Sequence, residues 1–209
     1  MRFQDLIKPE HTAIVLSEMQ RAICGDLAPP ATAFLTEQVR EQGVVPRLRK
    51  LMDGGHQVGV RTVHATLQFN ANRAGTKINS PMMAMTMKDP DYLVIGSEQA
   101  EVIPELAPSF EDVVHRRIHG MSAFNGTELD AILRSLDIKT IIIGGISLNE
   151  AIIGMAIEAV NIGYSIVIVR DGAVGIPRSF AEDMLKYCFA PLGKITTVDE
   201  VLETWGVTA

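Results

Sequence analysis

The sequence is poor in the features that mark specialised chains. Only two cysteines, Cys24 and Cys188, stand among 209 residues, too few for a disulfide framework, and a reducing compartment is the simplest home. The amino end, Met1-Arg2-Phe3-Gln4-Asp5, lacks the basic start and the apolar stretch of about 7–15 residues of a secretory signal, so a cytoplasmic protein is expected. Wholly apolar runs such as residues 13–16 and 166–169 fall far short of the ~20 residues needed to span a membrane. Basic clusters are short, His115-Arg116-Arg117 being one. A formal net charge of −6 with a pI near 5.4 sets a field that repels phosphate backbones. Neither a membrane nor nucleic acid is expected as a partner. There is also no internal repeat, low-complexity tract or Pro/Ser-rich linker, so residues 1–209 read as one domain.

What is present is a globular composition, 47% apolar and 21% charged, in a chain long enough to bury roughly 70% of its unfolded surface. Residues 12–16 form a short apolar, β-rich run that stops at Ser17-Glu18; this predicts a buried strand with Glu18 at its tip. Residues 31–53 carry apolar side chains at helical spacing, with Gly54-Gly55 as the expected stop, and residues 57–63 read as the next strand. The two strands of such a βαβ unit should be parallel with a right-handed crossover. Residues 65–109 lose the rhythm and contain the cluster Met82-Met83-Ala84-Met85-Thr86-Met87. A stretch this long is functional or carries short helices of its own, and its methionines read as adaptable core filling or as a plastic lid.

Further on, the pattern predicts strands over residues 112–115, 140–143 and 164–169 and a short one around Ile195. Helices are predicted over residues 127–136 with Thr127 as cap, 149–162 ended by Gly163, 179–189 and 198–205. Strands alternating with helices mean an α/β fold, a three-layer sandwich with a mainly parallel doubly wound sheet.

In such sheets ligands bind beyond the carboxyl ends of the strands, which singles out Glu18, the segment after His115, and residues 144–151. Ser147 and Asn149 lie where a helix begins; they read as capping residues or as part of a site whose backbone amides bind a carboxylate or an oxyanion. Glu150, in the first turn, is accounted for by the helix dipole and is left out of the site. His119 is placed to titrate near neutrality or to hydrogen-bond its own loop.

Four segments resemble one family in order and spacing. Ala13-Ile14-Val15-Leu16-Ser17-Glu18-Met19-Gln20 is similar to the opening strand of the isochorismatase-like cysteine hydrolases, which ends in an acid followed by Met-Gln. Ser122-Ala123-Phe124-Asn125-Gly126-Thr127-Glu128-Leu129 resembles their Ser-Ala-Phe-x-Gly-Thr-x-Leu segment. Residues 141–149 resemble their nucleophile corner, and residues 156–171 their helix, Gly-Tyr turn and final Asp.

The resemblance implies a site of acid, lysine and cysteine, in which a thiolate attacks an amide carbon. Here the acid position holds Glu18, the lysine position falls on Arg117 or Ile118, and the cysteine position falls on Ala151, whose methyl group can attack nothing. Cys24 and Cys188 read as core residues. His64 follows the second predicted strand, where metal-binding relatives carry Asp-x-His, but Thr62-Val63-His64 lacks the Asp and one histidine is too little to hold zinc; no metal or cofactor is expected.

Some enzymes of the superfamily lack the cysteine and cleave a vinyl ether by acid alone. On that precedent the expectation is a hydrolase of a small anionic metabolite: Glu18 protonates the substrate, water captures the cation, and Arg117 or His119 holds an anionic group. The alternative is an inactive descendant that binds a metabolite or partner in the same pocket. The family also implies a homodimer or homotetramer.

Overall fold

The computed structural model describes residues 2–207. Six parallel strands form one sheet in the order β3-β2-β1-β4-β5-β6, comprising β1 (Thr12–Ser17), β2 (Arg61–Leu67), β3 (Val113–Arg117), β4 (Thr140–Ile146), β5 (Ser165–Val174) and β6 (Lys194–Thr196). β1 and β4 are buried along their whole length, as strands covered by helices on both faces must be.

The helices are α1 (Phe3–Leu6), α2 (Arg21–Cys24), α3 (Ala33–Glu41), α4 (Val44–Gln57), α5 (Pro81–Thr86), α6 (Leu129–Ser135), α7 (Ile153–Asn161), α8 (Arg178–Met184) and α9 (Val198–Trp205). The core divides about the sheet. Ile14, Leu16, Ile142 and Val167 pack with Leu48, Leu51 and Met52 of α4 and with Val201 and Leu202 of α9. Ala13, Val15, Ile141 and Ile143 point the other way, against Leu129 and Leu133 of α6 and Met155, Ala156 and Ala159 of α7. The period-two alternation of β1 and β4 is thus what builds the three layers.

Several boundaries differ from the sequence-based expectation. The single helix expected over residues 31–53 is two, broken at Gln42 and Gly43, where Gly43 has φ +61°. The second of them runs through Gly54-Gly55 instead of stopping there. A Cβ on Gly54 would lie 2.2 Å from Leu202 Cδ2, and one on Gly55 2.8 Å from Ile14 Cδ1, so these glycines let α4 press against α9 and the sheet. β2 consequently starts later than expected, and His64 lies inside it. The long segment after β2 does carry a helix, α5, capped by Ser80, whose hydroxyl accepts a hydrogen bond from the Met83 amide at 3.2 Å. The helix expected from Asn149 begins as a π turn over Leu148–Ile152 before α7. Cys188, expected in the core, is exposed, because the π turn Leu185–Phe189 directs Phe189 inward in its place.

Candidate active site

The strand order reverses between β1 and β4. At such a switch point the connections leave the sheet in opposite directions and open a crevice beyond the strand ends. Glu18 immediately follows β1 and Ser147 immediately follows β4. Glu18 has φ +53°, a conformation that costs a residue with a Cβ about 1 kcal/mol or more. It is held by its amide donating to the Ala65 carbonyl at 2.9 Å and its carbonyl accepting from the Gln20 amide at 2.8 Å. Gln20, fully buried, fixes the turn further: its side-chain amide donates to the carbonyls of Leu67 and Ala100, each at 2.9 Å, and accepts from the Leu67 amide at 2.8 Å.

This turn directs the Glu18 carboxylate at Arg117, the last residue of β3, and the two form an ion pair. The guanidinium is 2% exposed and the carboxylate 14%, so the contact is largely shielded from water. Arg117 Nε also donates to the Gly120 carbonyl at 3.0 Å. Between Arg117 and Ile118, it is Arg117 that meets the acid, while Ile118 packs beside Gly75.

Both charged groups line a cavity of about 300 Å³, at the lower end of the range for small-molecule sites. Its wall is mostly apolar, with Leu67, Tyr92, Ile146, Ile176 and the methionines Met82, Met83 and Met85 of α5. Met83 is buried and Met85 is 40% exposed, so the cluster is core filling at one end and a cavity roof at the other.

The π turn after β4 brings Ser147, Asn149, Glu150 and Ala151 to the same cavity, beyond a cis peptide bond between Ile146 and Ser147. The Asn149 side chain is committed to structure, donating to the Ile176 carbonyl at 3.0 Å and accepting from the Ile176 amide at 3.1 Å. Ser147 is buried, and its carbonyl accepts from the amides of Glu150 and Ile152 at 3.2 and 3.0 Å. Ala151 presents a methyl group. Glu150, which the helix dipole alone would account for, is half-buried, and burial first, then the charge of Glu18, push its carboxyl above the ordinary glutamate range.

His119 is not among the residues lining this cavity. It lies in a neighbouring hollow with Gly75, Asn125 and Glu158, and its Nδ1 accepts from the Lys77 amide at 3.3 Å. Cys24 is also outside the cavity; burial, with Glu18 adding to it, pushes its thiol up to about 12, so it carries negligible thiolate at neutral pH. His64 is sealed within β2, and among the described residues no three His, Cys, Asp or Glu side chains converge as metal ligands would. No helix of the described residues is long and apolar enough to cross a membrane.

The model of one family, the isochorismatase domain, matches residues 12–200. The chain belongs to the isochorismatase family. A curated relative, the isochorismatase family protein YwoC of Bacillus subtilis (strain 168), is 27% identical over 198 residues, covering 93% of this chain and 94% of its own. Among solved structures, a cysteine hydrolase from Pseudomonas syringae pv. phaseolicola 1448A superposes with a TM-score of 0.80 at 22% identity, covering 95% of this chain and 94% of its own. N-carbamoylsarcosine amidase from Thermoplasma acidophilum gives 0.70 at 23% identity, covering 90% and 97%. At these identities the structural likeness establishes a common α/β fold with a doubly wound parallel sheet, and this isochorismatase-family chain has its cavity at the switch point of that sheet.

Proposed function

We propose that the protein hydrolyses a small, uncharged metabolite without a cysteine nucleophile, using carboxylates to move the protons. The observation that carries this reading is the Glu18–Arg117 ion pair at the edge of an apolar cavity whose other wall presents Ala151 and no thiol. A carboxylate held by a guanidinium is placed to take a proton from water. To donate one it would first have to acquire it at the expense of that contact. Glu18 therefore serves as the base that activates the attacking water, the reverse of the acid role expected from the vinyl-ether precedent.

The expected anionic substrate gains no support from the lining. Arg117 is the one cation among the lining residues and is already matched by Glu18, so the lining offers no unpaired positive charge to an anion. An anion would have to leave its hydration shell for a mostly apolar space with no free cation to receive it. A neutral molecule meets no such penalty.

The test is a panel of isochorismate, uncharged vinyl ethers, esters and small amides, with ketone, acid and ammonia release followed for the wild-type and Glu18→Gln proteins. We expect an uncharged member to turn over and Glu18→Gln to lose about 100-fold or more in kcat, the usual contribution of a general base. The substitution leaves buried Arg117 without its anion, at a cost of about 3 kcal/mol, so rates are referred to folded protein measured by circular dichroism. The Glu18→Gln/Arg117→Met double variant, which removes both charges, separates instability from lost chemistry. Equal turnover by Glu18→Gln would remove Glu18 from the reaction.

The methionines of the roof favour a second reading, binding without turnover, because flexible thioethers adapt to varied apolar ligands. Calorimetric binding of an uncharged panel member that persists unchanged on prolonged incubation is its signature.

A further inference from the structure

We infer that Glu150 is the proton donor of the cavity, so that the reaction runs on two carboxyl groups with opposite tasks, Glu18 as base and Glu150 as acid. This rests on the hydrolase reading above and assigns the step that reading leaves open, the protonation of the leaving group.

Geometry sets the two carboxyls apart. Both line the same cavity, but they arrive from opposite sides of the switch point, Glu18 at the end of β1 and Glu150 on the π turn after β4. Glu18 is engaged by a buried guanidinium. Among the described residues no side chain donates a hydrogen bond or ion pair to Glu150; its surroundings supply only burial and the negative charge of Glu18. Two acids in one small apolar space, one tied to a cation and one not, are unequal: a charge on the second would be both desolvated and repelled, which favours its protonated form relative to an ordinary glutamate.

The groups facing Glu150 reinforce this division. Across the cavity stand Glu18, Arg117 and Tyr92, whose hydroxyl donates to the Ala22 carbonyl at 3.4 Å. Helix α8, packed on the π turn, carries Arg178, Glu182 and Asp183; the first two pair with each other at 3.6 Å and line a separate surface hollow with Leu148. Arg117 is thus the one cation in the cavity lining, and Glu18 holds it.

The proton balance closes without any further reactant. Water gives one proton to the Glu18 carboxylate as its oxygen bonds to the substrate carbon. The bond from that carbon to the leaving atom breaks, its electron pair stays on the leaving atom, and Glu150 protonates that atom. Net transfer of one proton from Glu18 to Glu150, through solvent after product release, restores the starting state.

The experiment combines a carboxyl carbon-13 NMR titration of the glutamate-labelled protein with pH profiles of kcat and KM for wild type, Glu150→Gln and Glu150→Asp on the turned-over panel member. We expect the Glu150 resonance, assigned by its loss in Glu150→Gln, to titrate above the surface glutamates and to move back towards them in the Glu18→Gln protein. Glu150→Gln should lose about 100-fold or more in kcat with KM changed less than threefold, and should lose the high-pH limb of the profile; Glu150→Asp should recover part of the rate and the limb. A Glu150 that titrates with the surface glutamates, or a Glu150→Gln variant within threefold of an active wild type, overturns the assignment while leaving the hydrolase reading standing. A wild type that turns over nothing in the panel counts against the hydrolase reading and takes the catalytic role with it, whatever the titration shows of Glu150.

Discussion

His64 lies on β2 beside Leu16 of β1 with both ring nitrogens buried and neither hydrogen-bonded. Burial pushes its pKa down to about 4, the nearby charge of His56 adding to the effect and that of Asp112 opposing it. The folded protein therefore holds this ring neutral over a pH range in which the unfolded chain protonates it. Below about 6.5 the unfolded state binds the extra proton, so stability falls as pH drops from about 6.5 towards 4, by about 3 kcal/mol over the whole window. Replacing His64 by Leu removes both the titration and two unsatisfied polar atoms. We expect His64→Leu to be more stable than wild type at pH 7.5 by about 1 kcal/mol, with the gap widening by about 2 kcal/mol at pH 5, as read from urea unfolding. Parallel pH dependences for the two proteins would show that the ring is hydrated or paired in solution. The sequence offered His64 only as a fragment of a metal motif. Nothing in one sequence distinguishes a histidine sealed between two strands from one at a strand tip, and here a shift of the strand by a few residues decided between them.

Elements were most legible where pattern and packing agree. The runs that became β1 and β4 are apolar because both faces are covered, and α9 begins at a capping box between Thr197 and Glu200 that stops fraying where expected. Errors gathered at glycines, whose meaning depends on what lies opposite. Gly54 and Gly55 read as a helix stop but serve as contact points, whereas Gly145 has φ +100° and brings β4 so close to β1 that a Cβ would stand 2.3 Å from the Ser17 carbonyl oxygen. Gly145→Ala should therefore combine a forbidden backbone with a backbone clash, about 3 kcal/mol or more, a fall of about 6–12 °C in the melting temperature for a domain of this size. Since the displaced residue precedes Glu18, catalytic loss should exceed what unfolding explains. Gly59→Ala is the control: its φ is +80° but nothing lies within 4 Å of the added Cβ, so only the backbone penalty of about 1–2 kcal/mol applies. Equal melting temperatures for the two variants would mean that β4 can move away from β1, and that the site is less rigidly held than its geometry implies.

At the scale of the whole molecule, alternation of strands and helices made the doubly wound sheet legible, and with it the position of a ligand crevice at the carboxyl ends of β1 and β4. Glu18, Arg117, Ser147, Asn149 and Ala151 do share one cavity, whereas His119 falls in the next hollow and Glu150 joins from a turn whose π geometry no periodicity announces. The outer surface bears on the expected self-association. Helix α7 buries Met155, Ala156 and Ala159 against the sheet but leaves Ile157 and Val160, three residues apart on its outer side, 44% and 37% exposed, and Phe180 of the following helix is 50% exposed. Single exposed apolar residues need no explanation, but a row along one helix invites a second copy. We expect sedimentation equilibrium to give at least twice the 22.8 kDa chain mass, and Ile157→Glu/Val160→Glu to return it to the chain mass while the circular dichroism spectrum is retained. A wild-type mass of one chain at micromolar concentration would leave this face to solvent and would make the cavity the property of a single protomer; a dimer that survives both substitutions would move the interface to another face of the sandwich.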